Sequence, residues 1–397
     1  MEPAVRELLD LVFRWVHVVA AIMWIGNSLL WNWLDRNLLP PKGGGEGVQG
    51  EVWLLHSGGF YLLRKDLAGW DRDRPLHWFK WQAYTTWLTG AALLVVVYYA
   101  GGGALLVDPA VADIAPATAV AVAAGTLVSA WLAYDLALGR LLSRMGGAGA
   151  AAGFALVLGV GFALTHLLSG RAAFLHVGAM LGTLMAGNVF RVIVPSQRVL
   201  VDAVERGGLP DPGPAKRAKE RSIHNNYMTF PVVALMLSSH FPALYGGRSN
   251  WLVLGVLVLS GAAVRHLLNV RFTFPRWKPA LAATAAASIA ALALLTARPA
   301  RTSPAAAAGE RVPFARADAV IQKRCAVCHS ASPADRTFGV APGGVAFDTP
   351  EQVRAHAERI RVRAVETGTM PPANRTFITP EERALLGRWI AQGATLE

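Results

Sequence analysis

The segment KRCAVCHS near the C-terminus contains the residues whose types and spacing are most specific for chemistry. Cys325 and Cys328 are the only two cysteines of the chain, and His329 directly follows the second. Two thiols three residues apart on a helical turn can bond to the two vinyl groups of one porphyrin, and the adjoining imidazole is then held against the iron. A redox-active cysteine pair would not need the histidine, and a zinc site would lack ligands. The motif therefore predicts a covalently attached haem c.

A second axial ligand for this iron is predicted in the segment TGTMPP, where Met370 follows His329 by 41 residues. Methionine and histidine together raise the reduction potential of a haem, which suits an electron acceptor. Thr349 and Thr379 each precede a proline and are followed three residues later by Gln or Glu, a pattern that starts helices. With these motifs, residues 314–397 resemble a class I cytochrome c domain.

Composition places most of the remaining chain in a membrane. The 397 residues are 53% hydrophobic and 16% charged, whereas soluble domains carry about a quarter of charged residues. A helix that crosses a bilayer needs about 20 mostly apolar residues, because its backbone polar groups must be satisfied within the segment. Eight segments meet this requirement, at 11–34, 78–100, 117–138, 149–168, 171–195, 224–246, 250–270 and 276–297.

The predicted fold is therefore an all-α integral membrane protein of about eight transmembrane helices with a C-terminal class I cytochrome c-like domain. We divide the chain into a membrane domain (1–297), a linker rich in proline and alanine (298–313) and the cytochrome-like domain (314–397).

The distribution of lysine and arginine predicts the orientation. Loops 35–77, 139–148, 196–223 and 271–278 carry 17 of these residues, and the alternate loops carry only Arg171 and Arg248. Basic loops remain in the cytoplasm, so both termini are predicted on the outer side of the membrane. The resemblance of the tail to class I cytochrome c implies haem attachment outside a bacterial inner membrane, so both termini are expected in the periplasm. The net charge of +12 is then a topology signal, and nucleic acid is not predicted as a partner.

Four histidines fall in the predicted outer half of the membrane: His17, His166, His176 and His240. Ionisable residues inside spans are costly and tend to mark function. Small residues at helical spacing beside them leave room for a flat macrocycle, although small residues also permit close helix packing. Our hypothesis is that two of the four bind a haem b, or that they form the substrate site. A purely structural role for each histidine is the alternative.

A second polar group stands at the predicted cytoplasmic start of the sixth span, in RSIHNNYMTF. It contains His224, Asn225, Asn226 and Tyr227, with Arg221 close by in sequence. Amide and hydroxyl groups beside an arginine can bind a flat, hydrogen-bonding anion. The alternative is that these residues cap the helix and anchor it at the interface.

Several motifs together carry a family resemblance. The opening span RWVHVVAAIMWIGNSLLWNWLDRNL, the segment HNNYMTFPV, the eight spans and the CAVCH tail resemble bacterial membrane-bound urate oxidases fused to cytochrome c. The resemblance implies oxidation of urate to 5-hydroxyisourate. It also implies that electrons pass through haem c to a respiratory acceptor such as a terminal cytochrome oxidase, without hydrogen peroxide as a product.

The WVHVVAAIMWIG pattern is more general. It is also similar to copper-resistance D proteins and to the bacterial membrane protoporphyrinogen oxidase, and that likeness implies a haem b ligand at His17. Two other functions stay open. One is a quinol-dependent or other cytochrome c reductase, and the other is a copper-resistance-like binding or transport module with an appended cytochrome.

Overall fold

The computed structural model describes residues 2–43, 47–67, 69–100, 103, 105–109, 111–208, 211–247, 249–297, 310–335 and 340–397. Within these ranges the chain is mostly helical. Most of the predicted linker, 298–309, lies outside the described residues.

The helices of the first half are α1 (Pro3–Asn37), α2 (Lys80–Leu93), α3 (Pro116–Ala133), α4 (Gly139–Arg144), α5 (Gly146–Leu167), α6 (Gly170–Asn188) and α7 (Val194–Glu205). Short π-helical segments join them without a break: Leu94–Tyr99 extends α2, Tyr134–Leu138 connects α3 to α4, and Val189–Ile193 connects α6 to α7. Pro116–Arg144 and Gly170–Glu205 are therefore two continuous helical rods.

The second half of the membrane domain contains α8 (Pro212–Ser238), α9 (Pro242–Tyr245), α10 (Asn250–Val270) and α11 (Trp277–Thr296). Our sixth predicted span, 224–246, is wrong in its boundaries: α8 begins earlier and ends at Ser238. Phe241 is extended, with φ −121° and ψ 87°, because the residue before a proline is disfavoured in helical conformation. His240 consequently lies in the turn between α8 and α9.

Six helices of the described chain are long and apolar enough to cross a membrane. They are Ala4–Asn37, Pro116–Arg144, Gly146–Leu167, Gly170–Glu205, Asn250–Val270 and Trp277–Thr296. The predicted spans 78–100 and 224–246 are also largely helical, but their polar residues keep them out of this group. The six helices support the predicted membrane protein, and a total of eight spans stays a prediction.

Burial separates a central helix from peripheral ones. In the rod Gly170–Glu205, 61% of the residues in the most apolar stretch are buried, whereas the corresponding fractions are 6% in α1 and 0% in α11. Leu8 and Trp15 on α1 and Leu294 on α11 are 59%, 70% and 78% exposed. Such large exposed apolar surfaces are what lipid-facing helices present, so α6 forms the centre of the bundle and α1 and α11 its rim.

The all-α prediction fails for the loop 35–77, which contains an antiparallel hairpin of β1 (Val48–His56) and β2 (Gly59–Asp66). Trp53 pairs with Leu62 and Leu55 pairs with Phe60. Ser57 and Gly58 have positive φ values of 49° and 77°, as tight hairpin turns require. Strands of nine and eight residues are much shorter than a membrane span, so the length criterion for spans does not identify them.

The bundle core forms where α5, α6, α8 and α10 pack together. Phe174, Leu235 and Leu254 are fully buried there. At one crossing α10 approaches the backbone of α8 so closely that a Cβ on Gly261 would lie 2.8 Å from the nitrogen of Pro231. Glycine is thus required sterically at this helix crossing.

The tail has its own helices and its own core. The helices are α12 (Phe314–Arg324), α13 (Pro350–Ala355), α14 (Ala357–Ile360) with a π-helical continuation Arg361–Glu366, and α15 (Pro380–Ala391). Both predicted capping boxes are confirmed, between Thr349 and Gln352 and between Thr379 and Glu382. Trp389 on α15 is 1% exposed and packs against the ring of Phe314 on α12, with ring centroids 5.9 Å apart.

Candidate functional site

The CAVCH motif directly follows α12 and forms one tight turn. The backbone N–H groups of Cys328 and His329 both donate to the carbonyl of Cys325, over 3.1 and 2.9 Å. The turn therefore brings the two half-buried, free thiols and the imidazole into one short stretch, as the motif requires.

The imidazole of His329 is oriented by the backbone. Its Nδ1 lies 2.8 Å from the carbonyl oxygen of Val345, and the ring of Phe347 packs against it at 5.4 Å between centroids. Burial lowers the pKa of His329, although the bond to Val345 acts in the opposite direction, so the neutral ring is favoured. A neutral imidazole that donates through Nδ1 presents Nε2 to a metal.

The two thiols do not resemble a redox-active pair. Burial raises the pKa of Cys325 to about 12, and burial together with the carboxylate of Asp335 raises the pKa of Cys328 to about 11. Reactive CxxC cysteines have lowered pKa values, because the thiolate is the nucleophile. The raised pKa values therefore do not favour disulfide exchange as the role of this pair.

Met370 lies in a loop held by backbone hydrogen bonds. Its N–H donates to the carbonyl of Arg363 over 2.9 Å, and Nη1 of Arg383 donates to its carbonyl over 2.8 Å. The side chain is half-buried. These residues could hold a haem between His329 and Met370, the predicted ligand pair.

Two of the four outer histidines are packed inside the bundle. His176 is fully buried, with Nδ1 2.8 Å from the carbonyl of Ala172 and Nε2 3.0 Å from the hydroxyl of Tyr99. The Nδ1 of His17 lies 2.8 Å from the carbonyl of Thr86, and the ring fills the space beside Gly90. The two histidines therefore contact different parts of the helix that follows residue 80.

The other two outer histidines are exposed. His166 keeps its Nδ1 2.7 Å from the carbonyl of Phe162 on its own helix, and His240 lies in the turn after α8. Among the described residues, no group of three or more His, Cys, Asp or Glu side chains could hold a metal ion. The four histidines are thus distributed over separate contacts.

The structure brings His224 and Asn225 into a polar cluster that extends over three helical rods. We call it the Arg221 cluster; its members are Tyr134, Ser143, Asn188, Arg221, His224 and Asn225. Asn188 Nδ2 donates to the Tyr134 hydroxyl over 3.1 Å and to Asn225 Oδ1 over 2.8 Å. The Tyr134 hydroxyl in turn lies 2.5 Å from His224 Nδ1. Helix α8 is thereby tied to α6 and to the segment after α3.

The hydrogen bonds of this cluster define the tautomer of His224. The Tyr134 hydroxyl accepts from Asn188, so its own proton points to His224 Nδ1. His224 Nε2 then carries the only proton of the ring and donates to Ser143 Oγ over 3.2 Å. Ser143 Oγ donates in turn to the carbonyl oxygen of Gly139 over 2.8 Å. Each hydrogen bond from Asn188 to the Gly139 carbonyl thus has one donor and one acceptor, and the His224 imidazole is neutral.

Asn226 belongs to a different group. Its Oδ1 accepts from Arg265 Nε over 2.9 Å and from Asn269 Nδ2 over 2.6 Å, and Arg265 Nη2 reaches Ser28 Oγ at 3.2 Å. Tyr227 stands beside it on α8, with its hydroxyl 2.8 Å from His266 Nδ1. The HNNY segment therefore contributes to both sides of α8.

Sequence reasoning missed Tyr134, Asn188 and Arg265. Each lies inside an otherwise apolar segment, and Arg265 is 1% exposed. A polar or charged residue at such a place is itself a signal of function. Arg265 carries this signal in the sequence, because it is a charged residue in the middle of the apolar segment 250–270.

The described chain defines a class of protein: a helical bundle with six helices able to cross a membrane and buried polar clusters between them. The model of the urate oxidase N-terminal family matches residues 3–297, so the chain belongs to this family. Neither the curated proteins nor the solved structures contain a match to the chain.

Proposed function

We propose that this protein oxidises urate to 5-hydroxyisourate in the bacterial inner membrane and passes the electrons through a haem c in its tail to the respiratory chain. The observation that carries the proposal is the family match over residues 3–297 in a chain that ends with a CxxCH motif. The family supplies the substrate class, and the motif supplies an electron acceptor within the same molecule.

The residues of the tail fit a haem c. Cys325 and Cys328 would hold it covalently, and His329 and Met370 would be its axial ligands. When bound, the haem accepts electrons one at a time. The chain itself contributes the orientation of the His329 ring through Val345 and the fixed position of the Met370 loop through Arg383. A terminal cytochrome oxidase or another respiratory acceptor would reoxidise it.

A haem b in the membrane helices has less support than the haem c of the tail. Both ring nitrogens of His176 are engaged in hydrogen bonds, and His166 and His240 are exposed rather than enclosed. His17 is the remaining half-buried imidazole, and its described contacts include no second histidine. These residues do not fit a buried bis-histidine haem, so we derive no step through one.

The lipid bilayer is proposed as the setting because six helices have the length and apolarity to cross it. Helices α1 and α11 expose many large apolar side chains, and so large an apolar surface would be unfavourable in water.

The decisive experiment adds urate under anaerobic conditions to the purified, oxidised holoprotein and follows the haem absorption bands. We expect urate to reduce the haem without oxygen and without hydrogen peroxide. A haem that stays oxidised with urate but is reduced by a quinol would overturn the proposal and favour a quinol–cytochrome c reductase. A Cys325→Ala, Cys328→Ala double variant should lose the covalent haem, as measured by intact mass.

A further inference from the structure

We propose that the Arg221 cluster binds a planar organic anion that carries ring N–H groups. This inference rests on the proposed function, in which that anion is urate. It assigns a binding site to residues of α4, α6 and α8 and of the π-helical segment between α3 and α4.

The charge of Arg221 is the first argument. Arg221 is only 6% exposed, and its Nη1 is a buried donor for which the described residues supply no acceptor. Arginine stays protonated in proteins, so this is a buried cation without a counter-charge. Buried charges are paired in stable structures, because desolvation without a partner is unfavourable. An anionic ligand would supply the missing partner.

Unused hydrogen-bonding atoms are the second argument. Nη1 of Arg221 is a buried donor without an acceptor, and Oδ1 of Asn188 is a buried acceptor without a donor. Asn188 is itself 1% exposed and uses its Nδ2 for Tyr134 and Asn225. A ligand that satisfies both atoms must offer an acceptor and an N–H donor. Purine-like heterocycles with oxo groups offer both along one edge.

The shape of the cluster favours a flat ligand. The guanidinium carbon of Arg221 lies 4.7 Å from the ring centroid of Tyr134, so its cation lies over an aromatic face. Gly139 is in close contact with the same guanidinium, which leaves no room for a side chain there. A guanidinium with one face occupied presents its donors in its own plane, where a planar anion can accept two of them.

The cluster also reaches the surface of the molecule. His224 and Ser143 are only partly buried, whereas Arg221, Asn188 and Asn225 are buried behind them. A ligand would therefore enter past the His224 imidazole, whose two nitrogens are engaged with Tyr134 and Ser143. Because the Tyr134 hydroxyl donates to its Nδ1, this imidazole is neutral. The positive charge of the proposed site therefore comes from Arg221 alone.

The neighbouring Arg265 is the less suitable arginine. Its Nε and Nη2 already donate to Asn226 and to Ser28. Its role is explained by these contacts, which connect α10 to α8 and α1. Arg221 packs over the ring of Tyr134, but its buried Nη1 has no acceptor among the described residues.

The test measures urate-dependent reduction of haem in the holoprotein for Arg221→Gln, Arg221→Lys and Gly139→Ala. Removing a charge-assisted hydrogen bond should raise the KM for urate by about 10- to 100-fold in Arg221→Gln. Arg221→Lys should be affected less, and Gly139→Ala should raise KM because its methyl group displaces the guanidinium. Arg217→Gln, an exposed charge change one turn earlier on α8, is the matched control and should leave KM unchanged.

The outcomes separate this inference from the proposed function. If the unaltered protein does not respond to urate, the proposed function fails. If it responds and Arg221→Gln and Gly139→Ala both keep its KM, the assigned site is wrong while the function stands. A lower yield of haem-loaded protein with an unchanged KM would show that Arg221 is only structural. If Arg221→Gln does not fold, Gly139→Ala and Arg221→Lys decide the question.

Discussion

At the scale of single residues, the tail is held by an ion pair that also completes a helix cap. Arg324 donates from Nε and Nη2 to the carboxylate of Glu382, at distances of 2.9 to 3.1 Å. Their side chains are 14% and 19% exposed. Glu382 additionally accepts from the backbone N–H of Thr379 at the start of α15. One carboxylate therefore connects the end of α12, next to the haem motif, to α15.

Glu382→Gln should destabilise the tail by about 1–3 kcal/mol at neutral pH, because the amide can still cap the helix but loses the charge-assisted bonds. Denaturant titration of the holoprotein, followed by haem absorbance, measures this change. Glu381→Gln makes the same charge change at an exposed neighbour and should have an effect within about 0.5 kcal/mol. Equal losses in the two variants would contradict the role of the ion pair.

The same pair predicts a pH dependence. Burial raises the pKa of Glu382, but the hydrogen bonds from Arg324 and Thr379 outweigh it, so the pKa lies below the ordinary value of 4.5. Because the pKa of Glu382 is lower in the folded than in the unfolded protein, its ionised carboxylate stabilises the fold at pH values above the unfolded-state pKa. This stabilisation is lost as the pH falls through the folded-state pKa. The difference in stability between Glu382→Gln and the unaltered protein should therefore disappear in acid.

At the scale of helices, the crossing of α8 and α10 depends on one glycine. A Cβ on Gly261 would lie 2.8 Å from the nitrogen of Pro231 and 3.0 Å from the carbonyl carbon of Phe230. Both atoms belong to backbone and cannot rotate away. The two helices can therefore approach at this distance only without a side chain at Gly261.

Gly261→Ala should lower the stability of the bundle by about 1–3 kcal/mol, because the methyl group forces the helices apart. The midpoint of thermal unfolding in detergent is the measurement. Gly125→Ala on α3, where nothing lies within 4 Å, should be neutral or slightly stabilising. An unchanged midpoint in Gly261→Ala would show that the crossing has room to spare.

At the scale of the whole molecule, the predicted orientation agrees with how the tail meets the bundle. The tail contacts the segment after α9, where a Cβ on Gly246 would lie 2.9 Å from the Cβ of Thr367. This end of α8 is the end that the lysine and arginine distribution places outside. The tail thus meets the end of the bundle that the lysine and arginine distribution predicts to be periplasmic, and the membrane side stays a prediction.

Reporter fusions test this topology. Alkaline phosphatase fused after Glu397 should be active, since it requires export, whereas the same enzyme inserted in the loop between α7 and α8 should be inactive. Fluorescent-protein fusions at the two places should give the opposite pattern. Phosphatase activity only at the inner loop would reverse the orientation and exclude a periplasmic haem.

The sequence by itself determined the local features. The CxxCH turn, both capping boxes and the apolar helices are specified by residues within a few turns of one another, so spacing alone predicts them. The hairpin in 35–77 was missed because its alternating strands are shorter than a membrane span. The sequence identifies the HNNY segment as polar. It does not show that His224 and Asn225 join the Arg221 cluster while Asn226 contacts Arg265 and Asn269.

Only the tertiary structure decided which partners these polar residues meet. Neighbouring residues on a helix point about 100° apart, so Asn225 faces α6 while Asn226 faces α10. The position of the buried Arg221 charge can be interpreted only from its contact with Tyr134, which is 87 residues away in sequence and accepts a hydrogen bond from Asn188. Such contacts depend on how whole helices pack, and a linear pattern of residue types does not contain that information.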